Sequence, residues 1–166
     1  HAVTLSLADG DRLEMIEFST QPRAWRPEPV SIDRRQKVEA RRWIGTPWRH
    51  QGRSKSGVDC VGLVVLVART LGLEPEDVTG YARRQDGRVL LRHLHTQLQF
   101  QSVINWKKGN IGVFKESAFP IHIGFLSARD GVPTVIHAHA RRRQVIEEAL
   151  LPYGAPFAVF SFPEVL

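Results

Sequence analysis

The first candidate for a reactive group in this chain is its single cysteine, Cys60. It lies in the segment 57–63, which precedes an apolar stretch. A continuous apolar run follows it, so we predict a buried helix whose first turn carries Cys60. Asp59 suits the N-cap of that helix, because its carboxylate can accept hydrogen bonds from the first free backbone N–H groups. Those groups and the helix dipole favour an anion at position 60, which biases the thiol towards the nucleophilic thiolate. A lone cysteine among valines and leucines is more often inert packing, so distant residues must decide between the two interpretations.

Two histidines on predicted strands can supply a base and a residue that orients it. His122 lies within residues 121–125, and His137 lies within residues 135–139. Side chains on one face of neighbouring antiparallel strands meet across the pair, so the two histidines can stand side by side. If the cysteine helix packs on that face, His122 takes the thiol proton. His137 then orients His122 by accepting a hydrogen bond from its other ring N–H.

Less specific interpretations stay open for the same residues. A single histidine on an apolar strand is typically a hydrogen-bonded core group. His139 alternates onto the face of His137, so Cys60, His122, His137 and His139 could form a zinc site, although the spacing lacks a C-x-x-C or H-x-x-x-H signature. The run 141–143 is three arginines, which we expect to be a solvated surface, with nucleic-acid contact as the lesser alternative.

Size and composition set the limits for these hypotheses. The chain has 166 residues and a formal net charge of +6. It is long enough to bury a core, and its charge permits a polyanionic partner such as nucleic acid or a bacterial envelope without choosing between them. One cysteine excludes an intramolecular disulfide. No apolar stretch is long enough to span a bilayer, and the first residues lack the features of a signal peptide.

The pattern of the chain predicts an α+β fold. We expect residues 1–30 to form a separate piece, either an appendage or the stub of a neighbouring domain, ahead of a catalytic domain at 31–166. It contains a hairpin over 3–18, with its turn at 8–11, and a proline-rich linker at 21–29. Within the first of the helices Val38, Trp43 and Ile44 are expected to pack inward. Helices followed by a run of strands indicate an antiparallel sheet, of about five to six strands, packed against the cysteine helix. We predict helices at 32–44, 60–71 and 87–98, and strands at 111–115, 121–127, 133–139, 143–148 and 156–162.

Five segments in this order resemble the NlpC/P60 family of papain-like cysteine peptidases, over about residues 32–162. They are residues 43–48, 57–63, 109–114, 122–125 and 135–138. The variant at 46–51 and the ending at 157–163 look most like the cell-wall peptidases of phage tails and gene transfer agents. The resemblance implies a papain-like fold in which the helix that carries the nucleophile packs on the antiparallel sheet.

The resemblance also implies an activity and its residues. Cys60 would be the nucleophile, His122 the general base and His137 the orienting residue, in hydrolysis of the bond between D-γ-glutamyl and diaminopimelate in peptidoglycan stem peptides. No metal or other cofactor is expected. The expected partners are peptidoglycan and other tail proteins, without nucleic acid and without membrane insertion, in a tail or tail-like particle that acts in the periplasm or cell wall. The alternative is an inactive structural tail-tip module, and retention of Cys60, His122 and His137 argues against it.

Three positions depart from the family pattern. Trp48 replaces a tyrosine thought to help hold the oxyanion, and an indole offers a single N–H donor, so His50 or the backbone N–H of Cys60 is expected to share that task. Val61 replaces a serine after the nucleophile, which removes a polar contact. Asn110 replaces an aspartate and is expected to be structural. We expect Trp48, His50, Asp59 and Val61 to border the oxyanion or the substrate. We expect substrate carboxylates to bind the loop 45–58, through its polar and cationic side chains, Arg49, His50, Gln51, Arg53 and Lys55.

Overall fold

The computed structural model describes residues 3–9, 12–18, 30–82, 87–115 and 121–164, and it describes no side chain before residue 30. Strands β1 (Val3–Asp9) and β2 (Arg12–Phe18) pair antiparallel from Val3↔Phe18 to Asp9↔Arg12, so the predicted hairpin is present. Two residues of its predicted turn and the linker at 21–29 lie outside the described residues. No helix in the described ranges is long and apolar enough to cross a membrane.

Three helices follow the predicted capping signals. They are α1 (Ile32–Arg42), α2 (Cys60–Thr70) and α3 (Arg88–Gln97). The side chain of Ser31 caps α1 by accepting from the backbone N–H of Arg34 at 3.3 Å. Asp59 caps α2 in the same way, and Gly72, just past the end of α2, takes φ +84°. The left-handed conformation that ends this helix is the one that glycine adopts at least cost.

The strands form one six-stranded antiparallel sheet and a short ribbon. The ribbon pairs β3 (Arg53–Ser54) with β4 (Gly57–Val58). The order in the large sheet is β5-β10-β6-β7-β8-β9, which confirms the predicted α+β class. The three-residue edge strand β5 was not predicted, because its two glutamines leave no apolar run to detect. The strands of the large sheet are β5 (Gln99–Gln101), β6 (Ile111–Lys115), β7 (Ile121–Arg129), β8 (Val132–His139), β9 (Gln144–Ala149) and β10 (Ala158–Ser161).

Helix α2 packs against β7 and β8 and supplies much of the main core. Its fully buried residues Leu63 and Val67 share one cluster with Ile123, Phe125 and Ile136 of those strands. A second, smaller cluster includes Leu126 and Val135, which alternate with these residues along β7 and β8. Successive side chains of a strand point to opposite faces, so the sheet is covered by α2 on one face only. The second cluster consists of Phe114, Leu126, Val135, Leu150 and Val159, with Trp106 and Tyr153 at its edge.

The inward packing predicted for α1 is correct at one position of three. Trp43 is 6% exposed, whereas Val38 is 45% and Ile44 is 40% exposed. At 100° per residue Val38 falls on the opposite side from the buried stripe of the helix, and Ile44 lies in the turn beyond the helix end. That stripe contains two polar residues, which the apolar pattern could not reveal. Its buried members are Ile32, Gln36, Glu39 and Ala40.

A buried polar network joins α1 to the sheet. Asn110, 1% exposed, donates from Nδ2 to Asp33 Oδ1 at 2.7 Å. Ser161 Oγ also donates to Asp33 Oδ1 at 2.8 Å, and Gln36 Nε2 donates to the carbonyl of Gly109 at 2.9 Å. An aspartate at position 110 would set two carboxylates against each other, at a cost to the charged form of both. Asn110 therefore has a structural role, as expected from the sequence, because its amide donates to Asp33 where an aspartate could not.

Gly109 offers a test of this junction, with Gly131 as a matched control. Both have positive φ, +103° and +78°, but a Cβ on Gly109 would lie 1.7 Å from the carbonyl oxygen of Asp33, whereas one on Gly131 would meet nothing within 4 Å. We expect Gly131→Ala to lower the free energy of unfolding by about 1–2 kcal/mol, the cost of left-handed backbone. Gly109→Ala adds a clash with fixed backbone and should cost about 2–5 kcal/mol. Urea unfolding measures both, and equal losses would contradict the close approach.

Candidate active site

Asp59 fixes the position of the helix that begins at Cys60. This carboxylate is buried, at 4% exposure, and both of its oxygens accept hydrogen bonds. Oδ1 accepts from the backbone N–H of Gly62 at 2.8 Å, while Oδ2 accepts from the backbone N–H of Gln51 at 2.8 Å and from the hydroxyl of Tyr81 at 2.5 Å. One side chain thus holds the first turn of α2, the preceding loop and the segment that follows α2.

Arg53 completes this junction and uses its donors within the protein. Its guanidinium donates to both oxygens of Asp77 at 3.1 and 3.0 Å, to Asp59 Oδ1 at 3.2 Å and to the hydroxyl of Tyr81 at 3.0 Å. Burial alone would lower the pKa of Arg53, but the hydrogen bonds to Asp77 and Tyr81 raise it above its ordinary value. Burial and the bond to Asp59 likewise raise the pKa of Tyr81 above its ordinary value. The Arg53 guanidinium and the Tyr81 hydroxyl therefore both stay protonated throughout the neutral pH range.

Two further loop residues are engaged inside the protein. Gln51 Nε2 donates to the carbonyl of Tyr81 at 2.8 Å. Lys55 Nζ lies 3.5 Å from the ring centroid of Trp43, a cation–π contact, and 3.3 Å from the carbonyl oxygen of Arg42. With Arg53 also committed, three of the five side chains expected to bind substrate carboxylates serve the loop itself. That expectation has to be narrowed to Arg49, which is exposed, and the half-buried His50.

Backbone pairing connects the cysteine loop to the end of the sheet. The N–H of Val58 donates to the carbonyl of Pro47 at 2.9 Å, and the N–H of Trp48 donates to the carbonyl of Arg143 at 2.9 Å. Pro47 is also bridged to Gln144, the first residue of β9. Gln144 is the register partner of His139, the last residue of β8. This ladder places the start of α2 beside the sheet end where β8 stops and β9 begins.

His122 and His137 meet at that end of the sheet. His122 Nε2 lies 2.5 Å from His137 Nδ1, with the two rings at 74°. The predicted pairing of the two histidines is thus present in the structure. The helix face is not as expected, because both histidines alternate with core residues such as Ile123 and Ile136, which α2 covers. The ladder brings the start of α2 to the sheet end at which the histidines meet, while α2 itself covers the opposite face.

Two residues that the sequence analysis missed continue the histidine pair. His137 Nε2 lies 2.8 Å from Glu148 Oε1, and the hydroxyl of Tyr153 donates to the same oxygen at 2.5 Å. In β9 the register partner of His137 is Ile146, so Glu148, two residues on, lies diagonally on the same face. Such diagonal neighbours are within reach of long side chains, and a carboxylate at this offset was a readable signal. Tyr153 lies in a short 3-10 helix beyond β9 and had no such signal.

The electrostatics keep this cluster neutral at the rings and charged at the carboxylate. Burial, with the neighbouring His137 and His139, lowers the pKa of His122 to about 3. Burial also lowers the pKa of His137, against the hydrogen bond to Glu148 that raises it. For Glu148 burial raises the pKa, but the bonds from Tyr153 and His137 outweigh it and lower the pKa below its ordinary value. At neutral pH His122 is therefore neutral and has a lone pair that can accept a proton.

The remaining residues predicted for the site lie in α2 and in the loop before it. Val61 is 8% exposed and belongs to the main core, where it lines an apolar cavity of about 270 Å³ between α2 and α3. Its side chain is thus a packing group of the core. His50 Nδ1 lies 4.0 Å from Asp59 Oδ2, and its ring meets that of Tyr81 edge to face. Trp48 holds the ladder through its backbone. Among the described residues, no group of three or more His, Cys, Asp or Glu side chains is arranged to hold a metal.

Comparison with solved structures identifies the fold. The NlpC/p60 domain of the peptidoglycan hydrolase SagA superposes with a TM-score of 0.55 at 22% identity, covering 78% of this chain and 98% of that one. A Staphylococcus aureus subsp. aureus Mu50 protein of the NLP/P60 family, described as similar to lipoprotein, superposes with a TM-score of 0.58 at 15% identity, covering 89% of this chain. The match spans 46% of that second protein. No family model and no curated protein matches the sequence. The chain therefore has the NlpC/P60 fold that its motifs predicted.

The lowered pKa of His122 can be measured directly. Histidine in an unfolded peptide titrates near 6.5, so a ring with its pKa near 3 should stay neutral well below that pH. We expect the ring resonances of His122, followed by NMR in the Cys60→Ala variant, to show no titration between pH 7 and about 5. An unfolded peptide that spans residue 122 serves as the control. A midpoint at or above 6.5 would contradict the burial of this ring.

A second prediction separates structural from substrate-binding arginines in the loop. Arg53→Gln removes the guanidinium that joins Asp59 to Asp77, so we expect it to lower the free energy of unfolding by about 1–3 kcal/mol. Arg49→Gln alters an exposed side chain and should stay within about 0.5 kcal/mol. Urea unfolding compares the two. If Arg53→Gln left stability unchanged and only raised KM for the substrate, the original expectation for Arg53 would be restored.

Proposed function

We propose that this protein is a cysteine peptidase that hydrolyses peptidoglycan stem peptides. The observation that carries the proposal is the contact between His122 and His137, 2.5 Å apart, at the sheet end to which the ladder leads the start of α2. A nucleophile, a base and a group that orients the base are the parts that acyl transfer by a thiol requires. The NlpC/P60 fold and the motif order of the sequence agree with this assignment.

In the proposed reaction His122 takes the proton from the Cys60 thiol, and the thiolate attacks the carbonyl carbon of the scissile amide. The N-terminus of α2 lends its partial positive charge to the thiolate. Backbone N–H groups there, beginning with that of Cys60, and the indole N–H of Trp48 are the candidate donors for the oxyanion. His122 returns its proton to the leaving amine. Water then hydrolyses the thioester, restoring the thiol and releasing the carboxylate product.

The substrate assignment rests on the family resemblance, on the charge of the chain and on the described activity of one neighbour. SagA is described as a peptidoglycan hydrolase, and it shares this fold. The net charge of +6 suits an anionic envelope polymer. Arg49 and the exposed turn 141–143 lie next to Trp48 in the ladder, where cations can meet stem-peptide carboxylates. The bond we assign is that between D-γ-glutamyl and diaminopimelate.

The resemblance to phage-tail and gene-transfer-agent peptidases extends the proposal to a setting. We place the protein in a tail or tail-like particle, with other tail proteins and peptidoglycan as partners, acting in the periplasm or cell wall. The proposed chemistry needs no metal or other cofactor, because the thiol supplies the nucleophile and His122 both proton transfers. Neither nucleic acid nor membrane insertion has a part in it.

Digestion of purified peptidoglycan, read by mass spectrometry, tests the proposal. Wild-type protein should release fragments cut between D-γ-glutamyl and diaminopimelate, with release blocked by iodoacetamide and unaffected by EDTA. Cys60→Ala should abolish release, because no other group replaces the thiolate, while circular dichroism and melting temperature stay close to wild type. Fragment release that survives Cys60→Ala, or that EDTA abolishes, would overturn the assignment of a thiol nucleophile.

A further inference from the structure

We propose that Glu148 is a positioning residue that sets the tautomers of His137 and His122, so that the ring nitrogen facing away from His137 is a proton acceptor. This inference rests on the proposed function, because it names a residue that prepares the base for that reaction. Glu148 stands in none of the five segments that carry the family resemblance. It is placed by contacts alone, at 2.8 Å from His137 and 2.5 Å from Tyr153.

The direction of each hydrogen bond follows from the carboxylate. The pKa of Glu148 is lowered, so the group is ionised near neutral pH and can only accept. His137 must then donate from Nε2, and a neutral His137 presents a lone pair at Nδ1. That lone pair accepts from Nε2 of His122, which therefore carries the hydrogen. The remaining nitrogen of His122, Nδ1, is left with a lone pair.

Without the carboxylate the chain of hydrogen bonds has a second, inactive direction. His137 could donate from Nδ1 to Nε2 of His122, and water or an amide could satisfy its other nitrogen. His122 would then carry its hydrogen on Nδ1 and could not accept a proton there. Two neutral imidazoles in contact have no means of choosing between these directions by themselves. The Glu148 carboxylate, which can only accept, fixes the direction of both hydrogen bonds.

The contrast with the adjacent glutamate supports a specific role for Glu148. Glu147 points to the other face of β9, where Arg41 contacts it at 2.8 Å, Arg129 also pairs with it, and Thr134 donates to it. Its charge is balanced by those arginines. The ion pairs of Glu148 in the described part of the chain are with histidines only, His137 and, at 3.8 Å, His139. Its charge is therefore directed at the histidine cluster.

The charge also suits the proton transfer itself. When the Cys60 thiol gives its proton to Nδ1 of His122, the ring becomes an imidazolium and keeps its Nε2 hydrogen bond to His137. No proton moves along the chain, since His137 retains its own on Nε2 and Glu148 stays ionised. The carboxylate lies one ring away from the new positive charge. It stabilises that charge through the oriented dipole of His137, as an orienting acid does in other triads.

Nitrogen NMR of the full chain, labelled at the histidine rings, measures the tautomers without any substrate. Long-range ¹H–¹⁵N correlations distinguish the Nδ1–H from the Nε2–H form, and His122→Gln and His137→Gln variants assign the signals. At neutral pH we expect both rings of the wild type as Nε2–H. In Glu148→Gln, whose amide can donate as well as accept, we expect a substantial fraction of His122 to shift to Nδ1–H. Glu74→Gln, which removes the same charge from an exposed segment, should leave both rings unchanged.

Hydrolysis gives the second readout. We expect Glu148→Gln to lower kcat by about 10- to 100-fold, with KM nearly unchanged, because the carboxylate orients the base and does not touch substrate. Tyr153→Phe keeps the carboxylate and should keep the wild-type tautomers. A wild-type His122 in the Nδ1–H form, or a Glu148→Gln variant with wild-type tautomers, would overturn the proposal. If Glu148→Gln does not fold, the wild-type tautomers still decide.

The two readouts separate this inference from the proposed function. Wild-type protein with the expected tautomers that releases no peptidoglycan fragments would leave the role of Glu148 standing and remove the peptidase assignment. Fragment release by a protein whose tautomers do not respond to Glu148→Gln would do the reverse.

Discussion

The structure depends on one buried carboxylate, that of Asp59. A buried charge is costly unless hydrogen bonds satisfy it, and Asp59 receives them from the first turn of α2, from the loop before it and from Tyr81 after it. Because each donor belongs to a different segment, displacing any one segment removes a hydrogen bond from the buried charge. The position of Cys60 is thus fixed from three directions by a side chain that takes no part in the proposed chemistry.

The two faces of the large sheet have separate tasks. The face under α2 is apolar and holds the helix by burial, with residues such as Phe125 and Ile136 fully enclosed. The other face carries His122, His137 and Glu148 among a smaller cluster of apolar residues. Alternation along β7 and β8 makes both possible with the same strands. Packing and proton chemistry therefore share a backbone without competing for the same side-chain positions.

Sequence reasoning succeeded where a local rule was sufficient. The caps of α1 and α2, the stop at Gly72 and the main strands follow from residue types at fixed offsets, and the contact between His122 and His137 follows from strand alternation. It failed where partners come from distant segments. Arg53 looked like a free cation because nothing near it in sequence identifies Asp77 and Tyr81 as partners. Val38 and Ile44 were expected to pack inward because they are apolar, but the polar residues Gln36 and Glu39 occupy the buried stripe of α1.

Partners that are distant in sequence also determine which charged side chains around the site are available to a ligand. A loop rich in cations suggests a flexible arm for an anionic substrate, yet Lys55 lies on Trp43 and Arg53 on Asp77, so those charges stiffen the loop. The turn 141–143, which resembles ordinary solvated surface in the sequence, is joined to Trp48 by the hydrogen bond that the Trp48 backbone N–H donates to the carbonyl of Arg143. Its exposed arginines lie beside the segment that leads to Cys60. The cations that can face a ligand are thus those of the turn 141–143, which the sequence pattern indicated to be ordinary surface. Only the fold shows that Arg53 and Lys55 already have partners within the protein.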